Sequence, residues 1–195
     1  MDIAEAHLSK VGYMGISLEE VAREVGVSKA ALYYHFPGGK EELFVAIGHR
    51  SLARVREGLE RAMSGATDGA GKLRSVARWL MAERERGRPM SELRDMARFV
   101  GEGHRAELAE SFYADHYAPI RRVVASAVES GEFRDDDPDF LTWAFLGLAS
   151  GMLDVGSMPD SAAAEAGSSA SPRPSLSGAE AADRMVDLFL NGALQ

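Results

Sequence analysis

The residues best suited to recognition chemistry lie between Lys29 and His35. On a helical wheel of about 100° per residue, Lys29, Ala30, Tyr33 and Tyr34 fall on one side, and Ala31, Leu32, His35 and Phe36 on the other. The second set can pack on Val21, Ala22 and Val25. The first set then faces outward: an ammonium and two phenols, with small neighbours that let the backbone come close to a partner. This chemistry is non-covalent, made of hydrogen bonds, charge and stacking. The competing reading makes Tyr33 and Tyr34 half-buried packing residues and His35 a satisfied core histidine.

Positioning such a face requires a short helix, a tight turn and a second short helix. Ser17-Leu-Glu-Glu20 reads as a capping box opening a helix over 18–25, Gly26-Val-Ser28 as the turn, and Ser28 as the cap of a helix to about Phe36. Pro37-Gly-Gly39 stops it and Lys40 starts a fourth helix that runs to Met63. Before these, residues 3–11 form a helix that ends at Gly12. The arrangement is a helix-turn-helix, whose second helix enters the DNA major groove while its neighbours hold phosphates.

Beyond the fourth helix, apolar residues at three- and four-residue spacing mark helices near 72–86, 90–102, 105–130, 139–155 and 179–191, with no sustained period-two alternation. The chain is therefore all-α. Residues 156–178, rich in Ser, Ala and Pro and lacking aromatics, read as a mobile loop. The organisation expected is a DNA-binding domain over 1–50 and a second helical domain over 51–195.

The composition narrows the function further. The 195 residues are 46% hydrophobic and 27% charged, enough for a real core, and the net charge of -8 argues against indiscriminate binding to nucleic acid or anionic lipid. Residues 1–56 are balanced, with 7 basic and 7 acidic side chains, so the negative surplus lies wholly in the remainder. No cysteine is present, which removes disulfides, thiolate zinc sites and cysteine nucleophiles. His7, His35, His49, His104 and His116 lack the short spacing of a metal set. No apolar run nears the roughly 18 residues of a membrane span, and a cytoplasmic protein without a membrane partner is expected. No nucleophile elbow, phosphate loop or paired-carboxylate motif points to an enzyme, and no cofactor is implied.

From Gly12-Tyr13 through Ser17-Leu-Glu-Glu-Val-Ala22, Val25-Gly-Val-Ser-Lys29 and Leu32-Tyr-Tyr-His-Phe36 to Gly39-Lys-Glu-Glu-Leu-Phe44, the chain resembles the DNA-binding domain of TetR-like transcriptional regulators. The likeness covers about the first quarter, and the rest agrees only in layout. It implies an all-helical homodimer that usually represses transcription at a palindromic operator and releases this double-stranded DNA when a small-molecule effector enters the C-terminal domain. Carried over by position, Lys29, Ala30 and Tyr34 would face base edges, Tyr33 would lie between base and backbone, and Ser17, Ser28, His35 and Lys40 would position phosphates. Two departures stand out. Ala30 occupies a place where many relatives have glycine, and the first helix follows Met1 with no basic extension, so either the natural start lies upstream or the extra phosphate contacts are dispensed with.

In the C-terminal region, Phe99, Phe112, His116, Tyr117, Ile120, Phe145 and Met152 sit on helices that could line one effector cavity, and equally suit an ordinary core. His116, in register with Phe112 and Ile120, faces inward and needs a polar partner. The last two helices are apolar around much of their circumference. Trp143, Gly147, Gly151, Met185 and Phe189 are the candidates for a four-helix dimer interface. Two rival functions remain at this stage: a protein-interaction adaptor using the Tyr33/Tyr34 face, and a small-molecule enzyme built on His116.

Overall fold

Residues 1–86, 98–155 and 176–193 of the chain are described by the computed structural model, and among them every regular element is helical. The elements are α1 (Asp2–Gly15), α2 (Leu18–Val25), α3 (Lys29–His35), α4 (Lys40–Met63), α5 (Gly69–Glu85), α6 (Glu102–Phe112), a π turn (Tyr113–Tyr117), α7 (Ala118–Glu129), α8 (Pro138–Val155) and α9 (Gly178–Ala193). The fold is all-α, with an N-terminal three-helix helix-turn-helix and a helical C-terminal part. The loop expected over 156–178 and the helix expected over 90–102 lie largely outside the described residues.

Two compact units form: residues 1–57 with 90–118, and residues 58–89 with 119–195. In the first, Ala4, Leu8, Ile16, Val21, Leu32, Leu43, Phe44 and Ile47 make the core, joined by Val100 and Leu108. The helix end expected at Gly12 is a kink: Gly12 adopts φ 70°, ψ 173°, and the helix resumes as far as Gly15. Tyr13 just after the kink is buried, with Phe44 edge-on at 5.2 Å. Glu5 of α1 receives both Arg54 guanidinium nitrogens, at 3.1 and 2.6 Å, and the Ser51 hydroxyl at 3.1 Å, fixing α1 on α4.

Within the same unit a polar seam joins α4 to α6. Glu41 accepts from the Gly101 N–H at 2.6 Å and pairs with His104 Nδ1 at 2.8 Å. His49 lies 2.7 Å from Glu107 and 2.9 Å from the Ser111 hydroxyl. The hydrogen bond from His104 holds Glu41 below the usual carboxylate range, and the same bond lifts His104 above the usual imidazole value.

The single helix expected over 105–130 is interrupted by the π turn, in which the Ala118 N–H reaches back to the Tyr113 carbonyl. Pro119 supplies the reason. It has no N–H to continue the ladder and its ring crowds the preceding turn, so the backbone widens ahead of it.

The second unit is built around Leu73, Val76, Ile120, Val124, Phe133, Phe145 and Val186, all fully buried. Phe189 of α9 meets Phe145 at 5.6 Å and Phe133 at 6.4 Å, both edge-on. Arg78 clasps Asp183 with two bonds of 2.7 Å, and Arg74 reaches Asp187 at 2.8 Å, which fixes the rotation of α9 on α5. Gly58 of α4 is required by a close approach: a Cβ there would stand 2.1 Å from Cζ2 of Trp79. In an open helix Gly→Ala gains up to about 1 kcal/mol. Here Gly58→Ala is expected to destabilise the protein by about 2 kcal/mol through overpacking, read as a lower urea midpoint. A raised midpoint would mean that the indole swings aside freely.

Candidate nucleic-acid interface

α2 ends at Gly26 in the left-handed conformation (φ 80°, ψ 26°), which turns the chain sharply into α3. Ser28 caps α3, its hydroxyl accepting from the Ala31 N–H at 3.1 Å. Gly39, with φ 72°, starts the chain into α4. The turn chemistry expected at Gly26, Ser28 and Gly39 is therefore present. The capping box at Ser17 is not: Ser17 occupies the N-cap position without a side-chain cap bond, and the Glu20 carboxylate lies 3.4 Å from His7 instead.

α3 is anchored by one fully buried side chain, Leu32, with Phe36 packed beside it on the core. Ala31 and His35, expected to pack inward, are exposed, and Val25 is 40% exposed. A helix of seven residues presents only two side chains to a neighbour, so the buried stripe is narrower than the wheel suggests. The outward face holds as expected. Tyr34 is 84% exposed and Tyr33 41%, with Lys29 and Ala30 exposed beside them. The Tyr34 ring stands edge-on to His35 at 5.6 Å.

The cations on this face are already oriented. Lys29 donates to Glu19 of α2, and its ammonium lies 5.8 Å from the centre of the Tyr33 ring. The hydrogen bond to Glu19 raises the Lys29 amine and lowers the Glu19 carboxyl relative to their usual values, so both stay charged at neutral pH. Lys40 Nζ sits 4.6 Å from the centre of the Tyr13 ring and 3.5 Å from the Met14 carbonyl, held at the end of α1. Lys29, Ala30, Tyr33, Tyr34 and His35 thus share one short helix, with Ser28 at its cap. Ser17 and Lys40 are the entry residues of α2 and α4. Sequence reasoning missed Glu19, for which a position pointing away from DNA was expected. Its partner is ten residues on across a glycine turn, a distance no helical period reveals.

The seven residues expected to line a cavity divide between the units. Phe99 is exposed and stacks parallel on Tyr13 at 5.9 Å. Phe112 stacks on His116 at 5.0 Å, and Tyr117 is buried with Tyr113 edge-on at 5.6 Å. Ile120 and Phe145 are fully buried in the core of the second unit, and Met152 is partly exposed on α8. His116 faces inward as expected, but its Nδ1 makes no hydrogen bond among the described residues, and desolvation pushes the imidazole down to about 4. Of the dimer candidates, Trp143, Gly147 and Gly151 lie exposed along α8. Met185 and Phe189 do not: both are buried against their own unit, and Leu188, 72% exposed, takes the outward position on α9. Among the described residues no group of His, Asp or Glu is placed to hold a metal ion, and no helix is long and apolar enough to cross a membrane.

A short helix, a left-handed glycine turn and an exposed aromatic second helix define a helix-turn-helix protein of the transcription-regulator class. Residues 1–47 match the family described as bacterial regulatory proteins, tetR family. Over 59 residues the chain is 39% identical to the HTH-type transcriptional regulator LmrA of Bacillus subtilis (strain 168), a match covering 30% of this chain and 31% of LmrA. The chain thus aligns with about three-tenths of that curated relative's length. Its fold is similar over nearly its whole length to that of the TetR family transcriptional regulator PfmR from Thermus thermophilus, with TM-score 0.72, 23% identity, and coverage of 97% of this chain and 96% of that one. AibR, solved in complex with isovaleryl coenzyme A and operator DNA, gives TM-score 0.70 and 23% identity over 96% and 94%. The N-terminal domain is that of the TetR family, and the chain is TetR-like in fold.

Proposed function

We propose that this chain is a ligand-responsive transcriptional regulator that binds a palindromic operator as a homodimer, acting as a repressor that a small molecule releases. Residues 1–50 form the DNA-binding domain, and residues 51–195 the ligand-binding and dimerisation domain. The observation that carries the reading is α3: one buried anchor, Leu32, holds a helix whose other face offers Lys29, Tyr33 and Tyr34 to solvent. Nothing in the packing of the first unit needs those rings exposed, whereas a major groove accepts such a helix and its hydrogen-bonding side chains. Ser17, Ser28, His35 and Lys40 fix the register on phosphates.

Two recognition helices related by a two-fold axis reach successive grooves roughly 34 to 36 Å apart, which is why the operator is palindromic. The dimer face is assigned to α8 and α9, where Phe140, Trp143, Leu148 and Leu188 are exposed around the small residues Gly147 and Gly151. The effector is an apolar acyl compound with a polar head, the class to which the isovaleryl coenzyme A bound by AibR belongs. His116, neutral and stacked on Phe112, is its polar anchor. α4, a single helix from Lys40 to Met63, transmits effector binding by changing the separation of the two reading helices.

Selection of bound duplexes from a random pool, followed by gel shifts over a salt series, tests this. A palindromic consensus, bound by a dimer and weakened steeply by salt, is the expected result. Recovery of no consensus would return the Tyr33/Tyr34 face to a protein-binding role.

A further inference from the structure

One acidic residue stands on the DNA-reading face and is unaccounted for by phosphate binding. Glu19 belongs to the first turn of α2, yet its carboxylate accepts from Lys29, the first residue of α3. Both side chains are well exposed, 64% for Glu19 and 57% for Lys29, so the pair is not held by burial. The Tyr33 ring backs the ammonium. The other carboxylates of α2 are engaged differently: Glu20 lies 3.4 Å and Glu24 3.3 Å from His7 of α1.

A carboxylate brought against a duplex is repelled by phosphates and gains only where a base edge donates to it. In the major groove such donors are the amino groups of cytosine N4 and adenine N6, and cytosine N4 is the usual partner of Glu. A lysine, conversely, seeks the guanine O6 and N7 acceptors. One G·C pair displays both, acceptors on guanine and a donor on cytosine, side by side. An ammonium and a carboxylate already joined at the tip of the recognition helix match that pattern.

We propose that Glu19 is a specificity-determining residue, and that the Lys29/Glu19 pair reads a G·C base pair in each half-site, Lys29 on guanine and Glu19 on the cytosine amino group. The proposal rests on the reading of α3 as a recognition helix. Glu19 lowers affinity for DNA at large by its charge and returns part of that at the correct pair, so it raises discrimination more than affinity. The ion pair with Lys29 keeps the carboxylate from a free approach to phosphate and keeps the ammonium off the backbone, where it would bind every sequence alike.

The test uses the full-length protein and the duplex recovered by random selection. Kd is measured for that duplex and for one in which the G·C pair contacted by α3 is changed to A·T in both half-sites, for the wild type, Glu19→Gln and Glu24→Gln. Discrimination between the two duplexes is expected to fall about tenfold in Glu19→Gln, the scale of one good base contact, while binding to unrelated DNA strengthens. Glu24→Gln, which removes the same charge from the same helix, is expected to keep wild-type discrimination. Equal discrimination in the wild type and Glu19→Gln would overturn the proposal, as would equal losses in both variants or a consensus lacking G·C in each half-site. Failure of the wild type to select any sequence would instead remove the DNA-binding reading itself.

Discussion

Replacing Tyr34 with alanine is expected to abolish operator selectivity while leaving the fold untouched. The side chain is 84% exposed and contributes nothing to the core, so the urea midpoint should stay within about 0.5 kcal/mol of wild type. A base-contacting side chain is worth about 1 to 3 kcal/mol of binding. In a homodimer the change enters both half-sites, and distant sites add, so about 2 to 6 kcal/mol of operator affinity should go. Lys29→Ala belongs to the same class with one addition. Removing the ammonium leaves the Glu19 carboxylate unpaired against the duplex, so the loss should exceed that of the contact alone and be partly recovered in the Lys29→Ala/Glu19→Gln double variant. Lys40→Ala should behave differently, weakening all sequences alike and flattening the salt dependence, because a phosphate contact carries no sequence information. Gel shifts on operator and scrambled duplexes separate these outcomes. Wild-type operator affinity in Tyr34→Ala would sink the assignment of α3 to the groove.

The N-terminal unit was legible because its signals are local. Gly26 and Gly39 need positive φ, Ser28 caps within three residues, and α3 and α4 begin where turn chemistry requires. What failed there failed through contacts distant in sequence. Ser17 and Glu20 have the spacing of a capping box, but His7 of α1 competes for the Glu20 carboxylate. The wheel placed Ala31 and His35 inward because it assumes a neighbour along a whole stripe, and α3 has only Leu32 and Phe36 under it.

The C-terminal candidates were harder for a related reason. α9 is apolar around most of its circumference, so periodicity does not choose which side faces home. Arg74 and Arg78 choose it by binding Asp187 and Asp183, which turns Met185 and Phe189 inward and leaves Leu188 outside. Phe99 likewise belongs by composition to an aromatic cavity, yet the structure gives it to Tyr13. Residue type established that these side chains are apolar; the charged pairs between helices decided their direction.

His116 should govern the acid stability of the protein. It is 5% exposed, its Nδ1 lacks a partner among the described residues, and burial lowers its imidazole from 6.5 to about 4. Between those values the unfolded chain holds a proton that the folded chain refuses, so stability falls as pH drops from about 6.5 to about 4 and is independent of this group outside that window. The gap corresponds to about 3 kcal/mol, a large share of the total stability of a typical domain. Two other sets of groups bear on the measurement. His104, raised by Glu41, acts in the opposite sense: its contribution is present below the unfolded value and lost as pH rises, but the pair is on the surface and screened. Glu41 and Asp183, held low by His104 and Arg78, add stability that is lost only as pH falls through the carboxylate range, mostly below the His116 window. Urea midpoints of the wild type and His116→Phe at pH 7.5, 5.5 and 4.5 therefore isolate one imidazole. Phenylalanine keeps the stack on Phe112 and removes the orphaned nitrogen, so the variant should match or exceed the wild type at neutral pH and lose far less stability on acidification. An undiminished acid slope in His116→Phe would show that this imidazole takes its proton in the folded state as readily as in water, and a neutral apolar anchor for an effector would go with it.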